Sequence, residues 1–498
     1  MAFDKAKIKE TITMQINENC TQDEKALSEK AAEETQLKRP ITYKFLLSFT
    51  IPTILSFMIM GIFGTVDGVF AARGISQAAL GAVNFVMPFF TFSMAIGAML
   101  SIGGTALIAK KKGRKLNQEA RENFTLLTIV TFATSMIISI FGWVFRRPLL
   151  DLLGTDANVF YLALEYIQPL IFMMPFIMVG MFLVQMLIAE GRPMLSMFAS
   201  SSGAVVSTSL NALFIFVFDM GVMGLALATG IGYAVPAVFG IIYFALNRKR
   251  GIYFVRPKWD IKVLGRSSIN GLSEMVGMMA MTVTTTVMNN VLVRIIGWEG
   301  VAAAGMALAA QGLLSSLFFG YASGIAPVVS YNFGRTTIYG IDTETGRKRR
   351  NNLKKLFKSS LVIVAALSVI ALAGTQVFAD LLVRVYVSPA DPYMGHLHGI
   401  AVRGLRIITF GFIFMGFNFF ATAWFTAFND GLVSGFMSLM RTMVFTLALL
   451  LTLPRVWDPA LDGAWLALPF AEVLSIVVTI FFIAKMGRKY HYLSPYII

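Results

Sequence analysis

Long apolar runs separated by short polar links dominate the chain. A helix crosses the ~30 Å hydrocarbon core of a bilayer with about 20 mainly apolar residues. Runs of at least that length predict about twelve spans, at 43–70, 79–109, 123–145, 160–189, 195–218, 223–247, 263–296, 301–333, 358–385, 402–428, 434–453 and 463–486. The pattern therefore predicts an all-α polytopic membrane protein. Its first run reads FLLSFTIPTILSFMIMGIFGTVDGVF, with Pro52 early and Asp67 near the end. A carboxylate beside hydrocarbon is costly unless it faces a bundle interior or a watery cavity. Asp67 is thus read either as a functional acid or as a side chain reaching interfacial water. Pro52 removes a helical hydrogen bond and is a candidate hinge.

The chain also repeats itself. Gly74 corresponds to Gly297, the Ala78, Ala79, Gly81 stretch to Ala302–Gly305, Gly97 to Gly320, and Gly113-Arg114 to Gly334-Arg335, all about 221 to 224 residues apart. Two pseudo-symmetric six-helix halves follow, entering the membrane in the same sense, as in many secondary transporters. The organisation read from this is a polar leader at 1–42, an N-lobe at 43–247, a link at 248–262, a C-lobe at 263–486 and a tail at 487–498.

Charge orients the spans. Lys110, Lys111, Lys112, Arg114, Lys115 and Arg121 follow the second run, Arg248, Lys249, Arg250, Arg256, Lys258 and Lys262 the sixth, and Arg347 to Arg350 the eighth. Basic links stay in the cytoplasm, so both termini are expected inside the cell membrane. Against that pattern, the net charge of +15 carries no nucleic-acid implication. Only 14% of residues are charged, where soluble domains carry about 25%, and the mean hydropathy is +0.71. One cysteine, Cys20, excludes an internal disulfide framework. The leader lacks the apolar centre of a signal peptide.

No G-x-x-x-x-G-K-S/T phosphate loop is present, and the links are too short for a nucleotide-binding domain. An ion gradient is the expected energy source, which returns attention to Asp67. Burial of a carboxylate favours its neutral form, suiting a proton, whereas several oxygen neighbours would hold Na⁺. Glu274 lies early in the seventh run, ahead of Thr282, Thr284 to Thr286 and Asn289. It reads as a cavity acid for cationic, amphipathic substrates. Gln185, Asn289, Gln311 and Asn418 are candidate lining groups, although interhelical hydrogen bonds account for most such residues. Arg441 and Glu472 are a candidate buried pair. Glu190, before Gly191-Arg192-Pro193, reads as an interfacial turn residue. An enzyme would need a nucleophile and base, or a metal cluster, inside the spans. Cys20, His396, His398 and His491 all lie outside them, so no enzyme, metal or cofactor is expected.

Several stretches resemble the multidrug and toxin extrusion (MATE) transporters, the bacterial branch in particular. They are IPTILSFMIMGIFGTVDGVFAARGI, GVMGLALAT, NGLSEMVG, GWEGVAAAGM, FFGYASGIAPVVSYNFGR, SLMR and DGAWLALPFAE, within residues 40 to 486. The resemblance implies a V-shaped, twelve-span antiporter exporting small molecules against H⁺ or Na⁺, with Asp67 as the coupling acid and Glu274 as a second acid found in part of the family. One departure matters: Ser207 and Asn211 stand where many bacterial members have Asn and Asp. Loss of that carboxylate makes Asp67, with Ser207 and Asn211 beside it, better suited to a proton than to Na⁺. The expectation is a monomeric, H⁺-coupled exporter of organic cations or amphipathic compounds. A lipid or lipid-linked oligosaccharide flippase of the same superfamily is the alternative.

Overall fold

The computed structural model describes residues 36–153, 155, 159–247, 251–338, 343–385, 395–490 and 492–493, and these are almost entirely helical. Most of the leader with Cys20, the basic triplet Arg248 to Arg250, and His491 lie outside the described residues. Among the described residues eleven helices are long and apolar enough to span a membrane: α1 (Tyr43–Ile75), α2 (Ala78–Gly113), α3 (Asn117–Val144), α4 (Phe160–Ala189), α5 (Pro193–Val217), α6 (Gly221–Leu246), α7 (Ile261–Ile296), α8 (Trp298–Thr336), α9 (Glu344–Arg384), α11 (Gly431–Val456) and α12 (Ala460–Gly487). Between α9 and α11, Gly395–Thr409 (α10a) and Phe412–Ala427 (α10b) form a broken span, bent by 53°.

The tenth run, expected at 402–428, thus begins by Gly395 and is divided in two. Its break sits at Phe410-Gly411, where the backbone tightens to i−3 bonds, Phe410 N–H to Ile407 O at 3.2 Å and Gly411 N–H to Ile408 O at 3.0 Å. Gly411 lies against Pro469 of α12, and Gly404 against the Trp465 ring. Close approach of α12 to small residues accounts for the bend, and only the tertiary contact reveals it.

Both first helices cross between halves. The start of α1 (Phe45, Leu46, Phe49, Ile54) shares a core with Tyr321, Leu356, Phe357 and Trp424 of the second half. Its end, at Ala71, packs with α2, α4 and α6. Reciprocally, Val263 at the start of α7 packs with Leu107 and Leu126 of the first half.

Glycines make the seam between halves. A methyl on Gly103 would overlap Ser267 and Gly271, one on Gly324 would overlap Thr53, and Gly113 and Gly334 abut the carbonyls of Tyr331 and Lys110. These contacts obey the sequence repeat: Gly113 and Gly334, Lys110 and Tyr331, Gly103 and Gly324, and Thr50 and Gly271 are each 221 residues apart. All lie where α2 and α8 end and α1 and α7 begin, the end bearing the basic links. Further along, Gly61 still meets Leu313, but Gly64, Gly68, Gly305 and Gly312 have no neighbour within 4 Å of an added methyl. The halves are therefore closed at the basic end and splayed at the other, giving the V shape.

Glu190 is more than a turn residue. It ends α4, but its carboxylate is buried, 2.7 Å from Lys112 Nζ, and accepts the Ile252 N–H at 3.2 Å. Paired in this way, it fastens the inter-half link to α2 and α4. Breaking such a buried pair typically costs about 3–5 kcal/mol.

Candidate functional site

Two acidic centres lie inside the helices. In the first half, Asp67 sits well along α1, in the splayed portion, half-buried among α5 and α6. Its Oδ1 accepts from Asn211 Nδ2 at 2.6 Å and its Oδ2 from Thr229 Oγ1 at 3.0 Å. Thr229 Oγ1 is also 2.9 Å from Leu225 O. A hydroxyl has one proton and two lone pairs, so Thr229 can serve either form of the acid. It donates to an ionised Asp67. When Asp67 is protonated, Thr229 turns its proton to Leu225 O and accepts from the acid.

The local backbone is unusual in two of the three helices that bring this centre together. α1 turns to π geometry at Phe70–Ile75, just after Asp67, and α5 does so at Leu213–Val217, just after Asn211. Such wide turns are common at functional sites. Pro52, by contrast, lies within unbroken α-helix at the glycine seam, beside Thr53 and Ile54. The departure from α geometry in this span is thus at Phe70–Ile75, not at the proline, whose lost hydrogen bond falls in a closely packed stretch.

Ser207 does not reach Asp67. It packs on Gly232 of α6, and its Oγ is buried with no hydrogen-bond partner among the described residues, as is Asn211 Oδ1. Thr229 takes the place expected of Ser207. It closes the GVMGLALAT stretch, whose final threonine was the available signal.

The second centre lines a cavity of about 410 Å³ between the halves. Glu274, Arg441 and Glu472 are its charged wall residues among the described ones, accompanied by Gln185, Gln311, Met278, Met281, Phe57, Phe319 and Phe419. Arg441 Nη1 is 3.7 Å from Glu472 Oε1. Asn418 Nδ2 donates to Glu472 Oε2 at 2.7 Å and to Glu472 O at 3.1 Å, while Thr479 donates to Asn418 Oδ1 at 2.8 Å. Asn418 therefore sits behind Glu472, off the cavity wall, because both ends of its amide are spent on α12. Asn289 is also off the wall, lying one residue past the wall residue Met288 on the helix. Glu274 has no hydrogen bond or ion pair to protein among the described residues, so its carboxylate is open to a ligand.

The family model MatE matches residues 52–213 and 275–452. The chain belongs to the MATE family. As a MATE protein it is a membrane transporter and not an enzyme. A curated relative, the multidrug export protein MepA of Staphylococcus saprophyticus, is 22% identical over 410 residues, covering 81% of this chain and 85% of that one. A solved outward-facing conformation of a multidrug resistance MATE family transporter superposes with a TM-score of 0.83 at 19% identity, over 92% of this chain and 98% of that one. A MOP superfamily transporter from Pyrococcus furiosus, described as having a binding pocket of reverse polarity, gives a TM-score of 0.83 at 18% identity, over 92% and 98%.

Proposed function

We propose that this MATE protein is a secondary active antiporter, exporting organic cations or amphipathic compounds as H⁺ enters, with both termini cytoplasmic. The observation that carries the proton assignment is the Asp67, Asn211 and Thr229 arrangement, whose hydrogen bonds serve either protonation state without moving a heavy atom. The cation assignment rests on Glu274, a carboxylate without a hydrogen-bond or ion-pair partner among the described residues, in a largely apolar, methionine- and phenylalanine-rich cavity. Apolar walls with a few placed polar groups suit varied amphipathic ligands, and the relatives named for multidrug export agree with this reading.

A flippase for pyrophosphate-linked lipids fits less well, since two of the three charged wall residues are acids. Na⁺ is the competing ion, favoured by two unpartnered oxygens near Asp67, Ser207 Oγ and Asn211 Oδ1. Against it, Asn211 presents a donor to Asp67, whereas Na⁺ would need the amide oxygen there. Transport in inverted vesicles, with pH and Na⁺ gradients imposed separately across a substrate panel, decides between them. The expected result is accumulation with the pH gradient alone. Accumulation with the Na⁺ gradient alone overturns the proton assignment.

A further inference from the structure

Among the described residues the cavity between the halves holds one cation for two acids, and that cation makes no close bond to either carboxylate. Arg441 is 7% exposed and sits in a π-helical stretch, Met440–Phe445, with its guanidinium 4.0 Å over the Phe419 ring. A strong charge-assisted N–H to carboxylate bond is about 2.7–2.9 Å long. The Arg441 to Glu472 approach of 3.7 Å is an electrostatic contact only, and Arg441 Nε is buried without a hydrogen-bond partner among the described residues. The Lys112 to Glu190 pair, at 2.7 Å, shows what a committed pair looks like in the same molecule. Glu472 is fixed from its other oxygen by Asn418, so any re-aiming of the pair falls to Arg441.

We infer that Arg441 is a resident counter-cation that competes with the substrate's positive group, keeping the cavity's affinity low while the halves are splayed. This rests on the cation-exporter reading. With both acids ionised, Glu274, Glu472 and Arg441 sum to one negative charge, enough to admit a monocation but not to hold it tightly. Removing Arg441 leaves two. An exporter must release its cargo from the state closed at the basic end, and a tethered positive charge beside the receptor carboxylate serves that release. The wide π turn carries the arginine on a stretch of backbone with non-standard hydrogen bonding, where a shift to α geometry would re-aim the side chain.

The test is equilibrium binding of tetraphenylphosphonium, a lipophilic monocation, to the full-length protein in lipid nanodiscs, with neutral triphenylphosphine oxide as control. Arg441→Gln is expected to tighten tetraphenylphosphonium binding about tenfold and leave the neutral control unchanged. Arg441→Lys retains the wild-type affinity. Glu472→Gln, which strands Arg441 without its acid, weakens cation binding, and adding Arg441→Gln to it restores binding. In transport, Arg441→Gln lowers KM and kcat together, because release slows. Arg441→Met, which keeps an apolar stem over Phe419, gives a second charge-free variant if the first does not fold. Unchanged or weaker cation binding in the folded charge-free variants, or an equal change for the neutral control, overturns the inference while leaving the exporter reading intact. Failure of the wild-type protein to bind tetraphenylphosphonium removes the cation-exporter reading itself, and the inference with it.

Discussion

The two halves share a seam and differ in their chemistry. Gly113 against Tyr331 and Gly334 against Lys110 are the same contact made twice, residue for residue. The acidic centres are not. The first half keeps its acid on α1 at Asp67, satisfied by neutral Asn211 and Thr229. The second half has neutral Asn290 at the place that the 223-residue spacing of Gly74 and Gly297 gives for Asp67, and puts its acids on α7 and α12, with an arginine on α11. Backbone packing at a seam tolerates almost no change in volume, whereas a side chain in a wet cavity can be exchanged without disturbing the fold. The seam is thus equivalent in the two halves while the acidic centres are not, and under the proposed function the first holds a proton and the second the cargo.

The largest effect expected from this division is at Asp67. Asp67→Asn keeps a side chain of the same size and should lower pH-driven efflux at least ~100-fold, while tetraphenylphosphonium binding in the cavity between the halves stays within about twofold. A comparable loss of cation binding would merge the two sites into one. Next come the seam glycines. Gly113→Val and Gly334→Val should each reduce transport, by about 30-fold if keeping the basic end from closing costs about 2 kcal/mol. Their losses should match each other, since the contacts do. Cross-linking of cysteine pairs placed across the seam checks that closure is what fails. Glu274→Gln is expected to weaken cation binding about tenfold, sparing the neutral probe and the proton response at Asp67.

Much of this was legible in the sequence because it depends on length and charge. Uninterrupted apolar runs specify the spans, and Asp67 and Glu274 stand out as carboxylates among apolar neighbours. The glycine spacing exposed the duplication. What escaped depends on neighbours distant in the chain. Gly411 gave no sign of a break because Pro469 of α12 is what meets it. Glu190 resembled a turn because Gly191-Arg192-Pro193 follows it, while the lysine that buries it comes 78 residues earlier. Thr229 was hidden for a chemical reason: threonine in an apolar helix ordinarily bonds its own i−4 carbonyl, as Thr229 does with Leu225. Only the fold brings Asp67 to the other side of that hydroxyl.

Thr229 gives a finer test of the proton assignment. Thr229→Val keeps the shape and removes both the donor and the acceptor, leaving one oxygen of Asp67 unserved. Transport should fall about fivefold, with Thr229→Ser restoring it to within about twofold. If valine is tolerated as well as serine, the two-state hydrogen bond is not part of coupling.

The smallest effect is expected at Asn290, and it bears most directly on the asymmetry. Asn290 is the place in α7 that the repeat aligns with Asp67, yet it is exposed and its Nδ2 donates to Thr286 O at 3.0 Å, one turn back on its own helix. It makes no contact of the kind that ties Asp67 to two other helices. Asn290→Ala should therefore change transport by less than about twofold, as is usual for exposed positions without tertiary partners. Measured beside Asp67→Asn in the same vesicles, it isolates position in the repeat from the local partners. A loss at Asn290 approaching that at Asp67 would mean that both halves still couple ions at equivalent places, and that Glu274 and Arg441 were added to a second coupling site rather than replacing it.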